Sequence, residues 1–144
     1  MFWDSSAIVP LLVWEAQSDT LTQRVSADTE PVIWWATPVE CQAAIQRRLR
    51  DTVLTDQDLA VSNERLRNFL HHVDTVSPTD EVRRRAARLL AVHPLRAADA
   101  LQLAAALVWA EEQPHGEGFV SLDSRLRAAA AKEGFDVVPP DALS

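Results

Sequence analysis

The sequence contains, at residues 95–110, the stretch Leu95-Arg96-Ala97-Ala98-Asp99-Ala100-Leu101-Gln102-Leu103-Ala104-Ala105-Ala106-Leu107-Val108-Trp109-Ala110. It predicts a helix over residues 96–112 that is apolar nearly all round, and such a helix is usually buried against other elements. Short runs rich in β-branched and aromatic residues alternate with helical stretches along the whole chain. That alternation is typical of an α/β protein with a mostly parallel sheet.

Five of the short runs predict strands. They lie at residues 1–3, 32–35, 73–76, 119–122 and 136–138. Between them the sequence predicts helices at residues 6–13, 16–27, 37–49, 55–70, 80–91 and 124–133, in addition to the helix at residues 96–112. Gly134 follows the last helix at the usual C-cap position. A chain of 144 residues without an internal linker is expected to form a single domain, residues 1–144.

Composition excludes several classes of protein. The chain is 47% hydrophobic and 24% charged, which is ordinary for a soluble globular protein. Its longest apolar runs, residues 7–14 and 103–110, are far shorter than the ~18–20 residues of a membrane span. Asp4 interrupts the N-terminus too early for a signal peptide. We therefore expect a cytoplasmic protein that does not enter a membrane, and the single cysteine, Cys41, excludes an internal disulfide and a cysteine zinc site.

The net charge of −7 argues against a nonspecific nucleic-acid binder, which normally carries a basic face. The basic residues are nevertheless grouped, and all except Lys132 are arginine, the side chain best suited to bidentate contacts with phosphate. The groups lie at residues 47–50, 83–88 and 125–127. For each group, a solvated helix face is the alternative interpretation.

Four acidic residues stand at predicted junctions between strands and helices. Asp4 and Asp123 follow strands, whereas Glu40 and Asp99 lie where helices begin. The carboxyl ends of parallel strands open on one crevice, so we expect the four acids to converge there. Each also has a structural alternative. Asp4 and Asp123 can cap helices, Glu40 can complete a capping box with Thr37, and Asp99 can complement a helix dipole.

Acids that converge repel one another unless a hard divalent cation joins them. A site made only of oxygen ligands selects Mg²⁺ or Mn²⁺ over zinc or copper, and such ions commonly act on phosphate groups. Ser121, two residues before Asp123 on the same side of its strand, could position a carboxylate or a water. Arg96, one turn before Asp99, could contact a phosphate.

Other phosphate chemistries of α/β proteins lack their residues here. The chain has three glycines and no phosphate-binding glycine loop. Ser6 stands where a haloacid-dehalogenase-like site needs a second acid, and Lys132 lies on a helix rather than on the last strand, where a receiver domain needs its lysine. No nucleophile elbow is present. A metal-dependent nuclease remains.

These residues resemble the PIN-domain ribonucleases, and in particular the VapC-like toxins of type II toxin–antitoxin systems. The match runs over nearly the whole chain. It rests on residues 4–9, on Thr37-x-x-Glu40, on residues 95–106, on Phe119-Val120-Ser121-Leu122-Asp123 with Leu126, Ala129 and Ala130 after it, and on residues 134–137. Pro10 and Ser121 depart from the family pattern, where lysine and threonine are usual, but neither departure removes a carboxylate.

The resemblance implies a three-layer PIN-like fold and a Mg²⁺-dependent endoribonuclease that forms a homodimer and is neutralised by a cognate antitoxin. Asp4 and Asp99 would be the principal metal ligands. Glu40 and Asp123 would complete the site directly or through water. The alternative is a PIN-like module that binds RNA or a protein partner without cutting.

A toxin also needs a surface that its antitoxin can cover. Residues 11–14, which end at Trp14, are a candidate for that surface. The adjacent Trp34 and Trp35 point to opposite faces of their strand. Because helices cover both faces of a parallel sheet, we expect both of these tryptophans to be buried.

Overall fold

The strands of the sheet are β1 (Phe2–Trp3), β2 (Val32–Trp34), β3 (Asp74–Val76), β4 (Gly118–Val120) and β5 (Asp136–Val138). They are seen in a computed structural model that describes residues 1–51 and 54–140. The order across the sheet is β3-β2-β1-β4-β5, and each neighbouring pair is parallel. β1 is therefore the central strand, and its register places Phe2 beside Phe119 and Trp3 beside Val120.

Helices connect the strands. Within the described ranges they are α1 (Ser5–Leu12), α2 (Ser18–Ala27), α3 (Thr37–Arg50), α4 (Asp56–Leu70), α5 (Asp80–Val92), α6 (Ala97–Trp109) and α7 (Ser124–Glu133). Most bounds fall within two residues of the prediction. α6 ends three residues earlier than predicted, and Glu111 and Glu112 beyond it adopt positive φ angles of 54° and 58°. Gly134 caps α7 in the left-handed conformation, as predicted.

Alternating strand residues enter two separate cores. Towards α5, α6 and α7 the strands direct Phe2, Val32, Trp34 and Phe119. Towards α1, α2, α3 and α4 they direct Trp3, Ile33 and Val120. The sheet is therefore covered by helices on both faces, which confirms the predicted three-layer α/β fold with a parallel five-stranded sheet.

α6 owes its position to its composition. Ala100, Leu103 and Leu107 are at most 2% exposed, as are the alanines between Leu103 and Leu107, and the helix packs most extensively against α5. Burial of this face fixes the start of α6, and with it Asp99. No helix in the part of the chain described by the structure is long and apolar enough to cross a membrane.

The prediction that Trp34 and Trp35 are both buried is half wrong. Trp34 is 5% exposed, whereas Trp35 is 58% exposed. β2 ends at Trp34. The backbone N–H of Trp35 still donates to the carbonyl of Val76 (3.1 Å), but its side chain, one residue past the strand, is largely open to solvent.

Candidate functional site

Three of the four acids lie where the chain leaves a strand, whereas Asp99 follows the connection between α5 and α6, so its prediction as a strand–helix junction is wrong. Asp4 directly follows β1, Asp123 follows β4 by three residues, and Glu40 lies in the first turn of α3, after β2. Asp99 lies in the first turn of α6. Glu40, Asp99 and Asp123 line one cleft of about 670 Å³, as expected for the carboxyl edge of a parallel sheet.

Asp4 is buried and caps α1. Its oxygen Oδ2 accepts hydrogen bonds from the hydroxyl and the backbone N–H of Ser6, the latter at 3.3 Å, and from the hydroxyl of Ser121 at 2.9 Å. Among the described residues, its other oxygen, Oδ1, meets a single donor, Ser5 Oγ, at 3.4 Å. Oδ2 therefore accepts three hydrogen bonds from the protein, whereas Oδ1 can accept a further ligand.

Glu40 is held by a glutamine from the opposite core. Gln102, 1% exposed on α6, donates from Nε2 to Glu40 Oε1 (3.0 Å) and to Thr37 Oγ1 (2.9 Å). Ser5 Oγ donates to Glu40 Oε2 at 3.2 Å. Ser5 thus contacts both Asp4 and Glu40, but its one proton can serve only one of them at a time.

The capping box proposed for Thr37 and Glu40 is wrong. The N-cap of α3 is Ala36, one residue earlier than predicted, and it makes no side-chain capping bond. Glu40 is therefore the fourth helical residue instead of the third, beyond the capping-box position. Its carboxylate is directed towards Gln102 and Ser5.

Ser121 links two of the acids. It is fully buried, donates to Asp4 Oδ2, and accepts the backbone N–H of Asp123 at 3.1 Å. Asp123 itself caps α7 by accepting the N–H of Leu126 at 2.9 Å. Arg96 is exposed and lines the cleft beside Asp99, whose carboxylate accepts the Arg96 backbone N–H at 3.4 Å.

Burial raises the pKa values of Asp4, Glu40 and Asp99. For Glu40 the pKa rises to about 7, with the charges of Asp4 and Asp99 as further causes after burial. The charge of Asp123 likewise contributes to the raised pKa of both Asp4 and Asp99. The four acids thus act on one another electrostatically, and their ionised forms are unfavourable unless a positive charge compensates them.

A hard divalent cation fits this donor set. The available ligand atoms are carboxylate oxygens, including Oδ1 of Asp4, and a bound cation would favour the ionised forms that burial disfavours. In residues 1–51 and 54–140, no three His, Cys, Asp or Glu side chains already form a group that could hold a metal ion. The carboxylates would therefore have to close around the ion as it binds.

Three residues in contact with the acids were not predicted as site residues. They are Ser5, Ser6 and Gln102. Ser5 and Ser6 follow the strand-end Asp4, and Gln102 is a polar residue within an otherwise apolar helix. A buried amide in such a helix needs a hydrogen-bond partner, so Gln102 was the clearest sequence signal of a further site residue.

The raised pKa of Glu40 predicts an unusual dependence of stability on pH. A carboxyl group with a higher pKa in the folded than in the unfolded state stabilises the fold at low pH, and this contribution is lost as pH rises from 4.5 to about 7. Solvent screening of the partly exposed group limits the effect to about 1–2 kcal/mol. In EDTA, the melting temperature should be higher at pH 5.5 than at pH 8.

Glu40→Gln should reduce this difference in melting temperature between the two pH values. The raised pKa values of Asp4 and Asp99 act in the same direction, so some difference should remain. A wild-type protein that is more stable at pH 8 than at pH 5.5 would show that the acids are not electrostatically strained.

Comparisons with known proteins agree with this architecture. The family model described as "PIN domain" matches residues 1–132. A solved structure, a toxin–antitoxin complex from Klebsiella pneumoniae, is similar with a TM-score of 0.67 and 15% identity, over 99% of this chain and 98% of that chain. At this identity the likeness shows the fold alone, and no curated protein matches the chain. The family match covers most of the sequence and confirms the resemblance noted above: the chain belongs to the PIN domain family.

Proposed function

We propose that this PIN domain is a Mg²⁺-dependent endoribonuclease and the toxin of a type II toxin–antitoxin pair of the VapC kind. The observation that carries the proposal is the convergence of Asp4, Glu40, Asp99 and Asp123 at one edge of the sheet, where three of them have raised pKa values. Membership of the PIN family supports nuclease chemistry.

In this proposal Asp4 and Asp99 would hold Mg²⁺ or Mn²⁺, and Glu40 and Asp123 would complete the site directly or through water. The cation supplies activation of a water for attack and stabilisation of charge on the leaving oxygen. Ser6 and Ser121 fix the orientation of Asp4. Gln102 fixes that of Glu40, whose pKa of about 7 suits it to accept a proton near neutral pH.

We also propose a cognate antitoxin as protein partner, a homodimeric state and a cytoplasmic location. A toxin–antitoxin complex with the same fold supports the first of these.

Trp14 is 72% exposed and lines a groove of about 290 Å³ between α1 and α4, so residues 11–14 remain the candidate docking surface. Trp14→Ala should weaken capture of the antitoxin encoded beside this gene without reducing RNA cleavage.

A non-catalytic PIN-like module that binds RNA or protein is the second candidate. The observation that favours it is the spacing of the acids, since none of the described residues forms a ready metal-binding group of three.

A cleavage assay distinguishes the nuclease from the binding module. Purified protein, free of antitoxin, should cut a structured RNA pool in Mg²⁺ and not in EDTA. Folded protein that binds RNA but never cuts it would favour the module.

Mg²⁺ should raise the melting temperature. At ten times its Kd, a ligand that binds only the folded state stabilises it by about 1.4 kcal/mol, which corresponds to roughly 3–6 °C for a domain of this size. Asp99→Asn should diminish the rise, which is measured by thermal denaturation in EDTA and in millimolar MgCl₂. An equal rise in wild type and in Asp99→Asn would indicate that Mg²⁺ binds elsewhere.

A further inference from the structure

The acidic cleft has a cationic margin. Arg47, Arg96 and Arg125 line it, and we call these three residues the arginine rim. They come from three different elements: α3, the residue before α6, and the first turn of α7. All three are exposed, and in the portion of the chain that the structure describes none of them forms an ion pair. Their guanidinium groups are therefore accessible to solvent in the lining of the cleft.

A fourth arginine shows the contrast. Arg48 also lines the cleft, but it forms an ion pair with Glu15 and donates to the carbonyl of Ala44 at 3.2 Å. Its charge is already compensated by the protein. The three rim arginines are therefore available for an external anion, and planar guanidinium groups suit phosphate. The margin of the cleft thus carries positive charge although the net charge of the chain is −7.

Two of the rim arginines lie near the acids, and the third lies farther away. Arg96 and Arg125 lie close enough to Asp99 for their charges to act on its carboxylate. Arg47 lies on the cleft-lining face of α3, seven residues after Glu40. At 1.5 Å per residue, this separation is about 10 Å along the helix axis. Cationic groups therefore stand both beside the acids and about two helical turns away from them.

We propose that the arginine rim binds a single RNA strand through at least two of its phosphates. Arg96 and Arg125 contact the phosphate at or beside the cleavage position, and Arg47 contacts a phosphate farther along the strand. The proposal rests on the proposed nuclease function and extends it. The preferred substrate is then an oligonucleotide that continues past the cleavage position, because a dinucleotide is too short to reach Arg47.

The test is RNA binding in the Asp4→Asn background with Mg²⁺ present. Asp4 is buried and is a proposed metal ligand, so this change should remove cleavage while leaving all three rim arginines unaltered, and every rim and control variant is compared in this same background. Fluorescence anisotropy gives the affinity for a 12-nucleotide RNA at several salt concentrations, and competition gives that for a dinucleotide. The matched control replaces three exposed arginines outside the cleft, Arg24, Arg84 and Arg88, with alanine.

Replacing all three rim arginines with alanine should reduce the slope of log K against log salt by about 1.4, since each of the two phosphates that the rim neutralises on a single strand contributes about 0.7. The control triple variant should leave the slope unchanged. Arg47→Ala alone should weaken 12-mer binding roughly tenfold and dinucleotide binding less than twofold, whereas Arg125→Ala should weaken both. Equal slopes for rim and control variants, or an Arg47→Ala effect independent of RNA length, would overturn the proposal.

Wild-type cleavage keeps the two proposals distinguishable. If wild type cuts RNA but the salt dependence of binding is unchanged by the rim substitutions, the nuclease function stands and RNA binding by the arginine rim is wrong. A rim-dependent slope in a protein that never cuts RNA would reject the nuclease and retain the RNA-binding strand path.

Discussion

Asp99→Asn is expected to reduce Mg²⁺-dependent RNA cleavage roughly 1000-fold with the fold retained. The hydrogen bond that Asp99 accepts from the backbone N–H of Arg96 can be kept by an amide oxygen. What the substitution removes is a negative charge beside Asp123 and Glu40, and with it a ligand for the cation. Initial rates on one defined RNA, with circular dichroism as the check on folding, measure the effect.

Asp58→Asn is the matched control. Asp58 occupies the corresponding third position of α4, where its carboxylate accepts the backbone N–H of Thr55 at 3.0 Å, and it lies outside the acidic cleft. This variant should cut RNA at the wild-type rate. If Asp99→Asn also kept that rate, Asp99 would serve its helix alone and would have no part in the site.

Asp4→Asn is expected to make the metal-free protein more stable, by on the order of 1–2 kcal/mol at pH 8, while abolishing cleavage. Burial raises the pKa of Asp4, so its ionised form is costly to the fold. Asparagine is an equally good N-cap. Its carbonyl oxygen can accept the bonds that converge on Oδ2, and its amide can donate to Ser5 Oγ, whose own proton then goes to Glu40.

Asp28→Asn provides the opposite case. The Asp28 side chain is also buried, but both of its oxygens accept bonds, Oδ2 from the Trp3 indole at 2.8 Å and Oδ1 from the Glu30 backbone N–H at 3.2 Å. An amide would set its NH₂ group against one of these donors. Thermal denaturation in EDTA should therefore show Asp28→Asn melting below wild type and Asp4→Asn above it. A loss of stability in both would mean that Asp4 is an ordinary structural acid.

Local sequence signals predicted most helices and strands well because the residues that begin and end these elements are close together in the sequence. The three central strands are short apolar runs, Gly134 stops α7 in the left-handed conformation, and Thr55 begins α4 with a capping box to Asp58. The positions of Asp4, Glu40 and Asp123, each after a strand, likewise followed from the topology of parallel sheets, whereas that of Asp99 depends on how α6 packs after α5.

The same kind of signal was misleading at α3. Thr37-x-x-Glu40 has the capping-box spacing, yet both side chains contact Gln102, more than sixty residues away in the sequence. A buried donor on a neighbouring helix provides a better partner than the helix end, and sequence spacing does not reveal such a donor. Trp35 shows the same limit, because the exposure of its side chain depends on where β2 ends and on which elements cover it.

The bond between Ser121 and Asp4 spans 117 positions of the sequence, and it joins strands that lie side by side at the centre of the sheet. During synthesis, β1 leaves the ribosome early and must wait for β4 before one of its two edges is paired. Until then Asp4 has the bonds from Ser6 but lacks the one from Ser121, and neither Asp123 nor Arg125 has been added. A nascent chain therefore lacks a complete acidic cleft until residue 125 has been added, and the proposed nuclease activity can begin only after that point.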